Sequence, residues 1–209
     1  MNKLKILILV AILGLSFNTV SYSQEAAAPV APAAQAVSYE IDAVHSTLGF
    51  TVKHMAVGTT RGSFSDYKGT VVFDPNDFST FQADVTINAA SIDTNNEGRD
   101  KHLKGADFFD AEKFPEITFK STRLEKNGAG AVIVGNLTMK GVTKEITIPV
   151  QITGPIASPH GANVIGLEGQ VQVNRQDYGI SFSKALDNGG LMVGDNVNII
   201  IEIEAGHKS

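Results

Sequence analysis

Between Asn95 and Phe119 the chain reads NNEGRDKHLKGADFFDAEKFPEITF. Arg99, Asp100 and His102 crowd together there, and Leu103, Phe108, Phe109 and Phe114 follow. A carboxylate next to an imidazole is the pattern of acid–base work, with Asp100 orienting His102 and His102 moving a proton. Such a pair needs a nucleophile or a cofactor to act on. The chain has no cysteine, and no serine sits in a nucleophile elbow. The same residues also suit a hydrogen-bonded network that pins a short helix to the rim of a larger body. The expectation taken forward is therefore that no residue is catalytic.

Metal chemistry is poorly served. The five histidines are His45, His54, His102, His160 and His207, and none forms an HxH or HExxH pair. His45 and His54 are an odd number of residues apart, so on one straight strand they face opposite sides. No metal site is expected, although His45 and His102 could meet through the fold as a polar pair. Arg175, Asp177 and Tyr178 close a long alternating run. They read equally as a buried Arg–carboxylate fork or as an exposed turn with Gly179 at positive φ.

The elements that would position these residues are strands. Leu48, Phe50 and Val52 alternate with polar neighbours, as do Val85 and Ile87 with Asp84 and Thr86. Phe119, Ile148 and Val171 lie in similar runs, and the chain closes on Val197, Ile199, Ile201 and Ile203. Period two marks a strand with one apolar face. Asp74-Pro75-Asn76-Asp77, Lys126-Asn127-Gly128, Lys140-Gly141 and Asp187-Asn188-Gly189-Gly190 supply turn chemistry. The only helix expected lies near residues 96–107, with a short turn near Asp77–Thr80. About eight mostly antiparallel strands leave a sandwich or a barrel. Long runs, Phe81 to Ile92 and Val164 to Arg175, favour the barrel because closure removes edges. The helix then sits over the barrel as a lid. Ala83, Ala89, Gly135 and Gly169 fall in phase with apolar neighbours. They either leave space inside or relieve crowding.

The first residues have the form of a secretory signal: Lys3 and Lys5, then an apolar run from Ile6 to Leu15, then Ser21-Tyr22-Ser23. The run is shorter than the roughly 20 residues of a membrane span. Cleavage is expected after Ser23, with the mature protein in the periplasm or secreted and not stably inserted in membrane. Residues 24–37 read as an Ala/Pro-rich tether, 38–205 as one domain and 206–209 as a tail. The net charge is −5. Residues 1–23 carry two lysines and no acid, so the mature chain stands at −7. That disfavours nucleic acid, which needs a basic footprint.

Six motifs in order now carry a resemblance. Asp42-Ala43-Val44-His45-Ser46 leads into Leu48-x-Phe50-x-Val52-x-His54, and Arg61-Gly62-x-Phe64 follows. Then come Arg99-Asp100-x-His102-Leu103 with Asp107-Phe108-Phe109, and Phe114-Pro115-x-Ile117-x-Phe119. Gly135-x-Leu137-Thr138-Met139-x-Gly141-Val142-Thr143 and Arg175-x-Asp177-Tyr178-Gly179 complete the set. From Tyr39 to Glu204 the chain resembles the bacterial YceI-like family. The resemblance implies an all-β, extended, lipocalin-like antiparallel barrel. It also implies an exported protein that holds a long apolar lipid, of polyisoprenoid or fatty-amide type, without cofactor or catalysis.

On that reading the lining would come from Leu48, Phe50, Val52 and Phe64, from Val85, Ile87, Leu103 and Phe108, and from Phe119, Leu137, Met139, Ile148 and Val171. A polar rim would come from His45, His54, Arg99, Asp100, His102 and Arg175. Two other readings stay open. One is an enzyme acting on an isoprenoid lipid or quinone through Asp100 and His102; the other is a ligand-free interaction barrel with a filled core. A homodimer is compatible with each.

Overall fold

The computed structural model describes residues 35–208 apart from Ala129, His160 and 185–190. The signal, most of the tether, the Asp187–Gly190 turn and His160 lie outside the described residues. The strands are β1 (Val37–Ile41), β2 (Thr47–His54), β3 (Gly58–Phe64), β4 (Tyr67–Phe73), β5 (Gln82–Asn88) and β6 (Ile92–Asp93). After the helix α1 (Glu97–Lys104) come β7 (Glu116–Asn127), β8 (Gly130–Met139), β9 (Val142–Ala157), β10 (Ala162–Asn174) and β11 (Val193–Lys208). All pairings are antiparallel.

Eight strands close a ring in the order β1-β4-β5-β7-β8-β9-β10-β11 and back to β1. The last strand makes the closure possible. Its far end pairs with β1 (Ile41 opposite Ala205), while Val193 to Glu202 pair with β2. β2, β3 and β6 thus extend the wall beyond the ring, with α1 following directly from β6. The final strand runs through Lys208, so residues 206–208 are strand.

Register turns the alternation into one apolar interior. Leu48 stands opposite Ile201, Leu167 opposite Ile203, Ile133 opposite Ile148, and Val85 opposite Phe119. One continuous core joins these strands. Each fully buried aliphatic side chain in it contributes about 1.5–3 kcal/mol, which makes the ring self-supporting without a disulfide.

One strand expectation needs correction. The run from Phe81 to Ile92 is not one strand: β5 ends at Asn88, whose side chain accepts from the Ala90 N–H and starts a 3-10 turn over Ala89–Ser91. The run from Val164 does lie in one long strand, β10, which ends at Asn174, the cap of another 3-10 turn, Arg175–Tyr178. Gly179 ends that turn at φ 70°, a conformation only glycine adopts freely. In addition, β3 (GTTRGSF) has no apolar alternation and carried no strand signal.

The small inward residues divide. Ala83 lines the interior. A Cβ on Gly135 would come within 2.5 Å of the Phe119 ring, and one on Gly169 within 2.8 Å of Val150. These two glycines relieve crowding and leave no free space.

The β2–β3 turn is strained by its own sequence. Met55 and Ala56 adopt φ of 53° and 59°, and Val57 N–H bonds to His54 O. This is the type I′ geometry that favours Asn-Gly, and an L-residue in it costs roughly 1–2 kcal/mol. The double change Met55→Asn, Ala56→Gly should therefore raise the melting temperature by about 2–4 °C, measured by circular dichroism. No rise would show that the tip is held by contacts rather than by turn chemistry.

Candidate functional site

Two cavities follow one another along β2 and β11. The first is the barrel lumen, about 100 Å³, and its seventeen lining residues are all apolar. The second, about 350 Å³, lies where β2 and the start of β11 pass α1 and Phe182. Alternate residues of one strand face connect them: Leu48 lines the lumen, whereas Phe50 and Val52 line the outer pocket. On β11, Ile199 and Ile201 belong to the lumen and Val193 to the outer pocket. The outer pocket, on this reading the mouth of the barrel, thus lies next to the lumen along the same two strands.

The proposed lining residues divide between the two. Leu48, Val85, Ile87 and Phe119 line the lumen from one side, and Leu137, Ile148 and Val171 from the other. Phe50, Val52, Leu103 and Phe108 line the mouth. Phe64 lines neither. Its ring stacks near Phe50 (6.2 Å between centroids) and edge-on to Phe109 (5.9 Å), and it packs against both core clusters. Met139 lines neither cavity; it is buried in the second core cluster with Ile117 and Tyr178.

Helix α1 is held by polar bonds, since it buries no residue of its own. Asn96 caps it by accepting from Arg99 N–H at 2.9 Å. Glu97 and Asp100 in the first turn and Lys101, His102 and Lys104 in the last complement its dipole. Buried Thr94 ties it to the wall: its N–H and hydroxyl donate to Asp100, and Arg99 Nε and Nη2 donate to its hydroxyl and carbonyl, each at 2.7 Å. Asp100 is therefore a helix anchor and not a rim group.

His102 bonds through Nε2 to Asp107 at 2.9 Å. Its ring stands edge-on to Phe108 (5.0 Å) and Phe182 (4.8 Å). The described bonds of Asp100 go to Thr94 and those of His102 to Asp107, so the two are not an acid–base dyad. His54, Arg99 and His102 all line the mouth.

Two further rim expectations are corrected. Arg175 is 4 % exposed. It donates to the carbonyls of Gly194, Ile180 and Val193 and to Asp195, whose Oδ1 lies 3.1 Å from Nη2. Burial pulls its guanidinium pKa down, and Asp195 opposes that shift. Of the two readings of its turn, Gly179 does take positive φ, while the carboxylate partner is Asp195 instead of Asp177. His45 lies toward the other end of β11, beside Glu204, and does not meet His102 or His54.

At that end Asp42, His45 and Glu204 bring one donor atom each within 4.8 Å of one another. These are the residues that could hold a divalent ion. As they stand, His45 Nδ1 bonds Asp42 at 2.9 Å. That hydrogen bond, then the charges of Asp42 and Glu204, raise the His45 pKa, and the same bond lowers that of Asp42.

Sequence reasoning missed Phe182, Lys184, Lys53 and Met192, all of which line the mouth. A weak signal existed for the first: Ile180 and Phe182 alternate with Ser181 and Ser183. For the others, only the fold brings them to the pocket.

This architecture has known relatives. Residues 39–205 match the model of the YceI-like domain. The chain is 42% identical over 161 residues to the UPF0312 protein SA2479 of Staphylococcus aureus (strain N315), covering 77% of this chain and 92% of that protein. The crystal structure of BcnA from Burkholderia cenocepacia superposes with a TM-score of 0.70 at 26% identity, over 79% of this chain and 99% of that one. The YCEI protein of Campylobacter jejuni is similar at 33% identity and a TM-score of 0.65, over 75% and 90% of the two chains. A polyisoprenoid binding domain from Saccharophagus degradans shares the fold, with a TM-score of 0.57 at 14% identity over 80% and 97%. A closed eight-stranded barrel with one α-helix among the described residues, matched to that domain model along nearly all its described length, places the chain in the YceI-like family.

Proposed function

We propose that the chain is an exported, non-catalytic container that holds one long-chain apolar lipid, of polyisoprenoid or fatty-amide type, for storage, shielding or transport. The observation that carries this reading is the lumen: seventeen lining residues, every one apolar. A long hydrocarbon needs a water-free sleeve, and each methylene buried in it contributes about 0.8 kcal/mol. The mouth adds the few polar groups that orient a ligand in an otherwise apolar site. A polyisoprenoid binding domain with the same fold supports the ligand class. Among the described residues no helix is long and apolar enough to cross a membrane, and the N-terminal signal motif supports export.

The lumen size favours a second reading. About 100 Å³ accommodates only about three water-sized groups at roughly 30 Å³ each. A long chain must spread the walls, whereas a ligand-free interaction barrel needs no such change. Val85, Ile87, Phe119 and Val171 face the lumen yet are only half-buried, which leaves them room to move. Organic extraction and mass spectrometry of the protein, purified from its native host without detergent, decide the matter. One lipid per chain is the expected result. Clean protein that also ignores added isoprenoids would favour the interaction barrel.

A further inference from the structure

Among the described residues five large apolar side chains are exposed, and three of them share one end of the barrel. Met55 and Val57 form the tip of the β2–β3 hairpin, and Val57 is 84 % exposed. Met55 N–H donates to Met192 O at 2.9 Å, which sets the tip beside Leu191, the third. The turn keeps Met and Ala where its geometry favours Asn-Gly, so folding alone does not account for the apolar choice. The charge of the hairpin is opposite to that of the whole chain. From Ser46 to Ser65 the sequence carries Lys53, His54 and Arg61 and no acid, on a chain of net charge −5. Lys53 and Arg61 are exposed, project from one face of the hairpin and have no ion-pair partner among the described residues. The other end of the barrel is acidic. Glu40, Asp42, Glu168, Glu202 and Glu204 line the grooves around His45, and among the described residues no lysine or arginine joins them there. From Val193, beside His54, to Glu204 strand β11 rises roughly 35 Å at about 3.3 Å per residue. That is several Debye lengths of about 8 Å each, so the acids at the far end do not repel a surface held at the tip.

We propose that the β2–β3 tip is a docking surface for an anionic lipid bilayer, held reversibly with Met55 and Val57 in the headgroup layer and Lys53 and Arg61 against lipid phosphates. This goes beyond the container reading and stands whether or not the lumen carries a lipid. Apolar side chains flanked by basic ones are the composition of an interfacial anchor, whose strength is the sum of buried apolar area and attraction to anionic lipid. Each basic group near such a surface strengthens binding about fivefold, and each apolar side chain taken out of water about tenfold. The separation of charge along the barrel turns the hairpin end toward a negative surface. A protein partner fits the tip less well, because three side chains fall short of the roughly 800 Å² per partner that a stable protein interface buries.

The test is flotation of the mature chain with vesicles of mixed phosphatidylglycerol and phosphatidylcholine, and with vesicles of phosphatidylcholine alone. Binding should be at least about tenfold tighter to the mixed vesicles and should weaken with salt. Arg61→Gln should lose about fivefold. Met55→Asn/Ala56→Gly, a turn change expected to stabilise the fold, should lose about tenfold. The chain has no tryptophan, so in Val57→Trp the single indole reports on the tip. Its emission should move to shorter wavelength on the mixed vesicles. No binding, or equal binding to both kinds of vesicle, would overturn the proposal. Binding with an unshifted Val57→Trp emission would overturn the tip as the docking surface. A wild type that ignores vesicles but self-associates, and comes apart in Met55→Asn/Ala56→Gly, would overturn it in favour of a second copy of the chain.

Discussion

Replacing Val85 by aspartate should empty the barrel while leaving it folded. Val85 lies on β5, opposite Phe119 on β7, and both line the lumen. No polar group lines that cavity, so a carboxylate placed there has no hydrogen-bond partner once a hydrocarbon displaces water. Burying a polar group without a partner costs on the order of 2–7 kcal/mol. The lipid should therefore bind at least about a hundredfold more weakly, and the extract of purified Val85→Asp should contain less than a tenth of the wild-type lipid. Without cargo the carboxylate can draw water into a half-open lumen, so the cost to folding is smaller than the cost to binding. Thr86→Asp is the matched control. Its side chain is on the opposite face of the same strand, in an outer groove with Asp84 and Lys68, and cargo should be retained. A folded Val85→Asp that still carries one lipid per chain would remove the lumen from the binding site.

The alternation that identifies Val85 also shows what local sequence can and cannot specify. On a strand, period two converts directly into faces, so seven of the thirteen proposed lining residues fall in the lumen and Phe50 and Val52 in the mouth, which Leu103 and Phe108 reach from α1 and the turn after it. Phase does not say how far along the barrel a residue sits. His45 and His54 flank one strand, yet His45 belongs with Glu204 and His54 with Met192, because β11 carries the pairing from one end to the other. Lys53 and Lys184 are far apart in sequence and each looks like an ordinary surface lysine; only the pairing of β11 with β2 brings them to one pocket. The glycine at 135 was ambiguous for a related reason. Its function is to admit the Phe119 ring from the neighbouring strand, and cross-strand register is not a local property. β3 carried no signal because its position between β2 and β6 is held by backbone pairing, with Phe64 as its large apolar anchor.

Arg175 makes the other large effect. A charged residue at the end of a strand ordinarily points to water, but this one is turned inward by the Asn174-capped turn and Gly179. Its guanidinium then joins two segments: Ile180, at 2.6 Å, and the Val193–Asp195 start of β11. Phe182 and Val193, one from each segment, are walls of the mouth. Arg175→Met keeps most of the bulk but leaves the Ile180, Val193 and Gly194 carbonyls without their buried donor, while half-exposed Asp195 keeps its bond from Gln176. Breaking a buried charged network in this way costs about 3–5 kcal/mol, which for a domain of this size lowers the melting temperature by about 10 °C or more. Arg175→Lys should fall between, because one ammonium cannot span the fork. Asp195→Asn separates pinning from ion pairing: it leaves the three carbonyl bonds in place and should cost only about 1 kcal/mol. Thermal denaturation of the three variants checks the order. If Asp195→Asn proved as damaging as Arg175→Met, the ion pair rather than the carbonyl bonds would hold the mouth together. If Arg175→Met melted within 3 °C of wild type, the mouth would owe its shape to the aromatic walls instead.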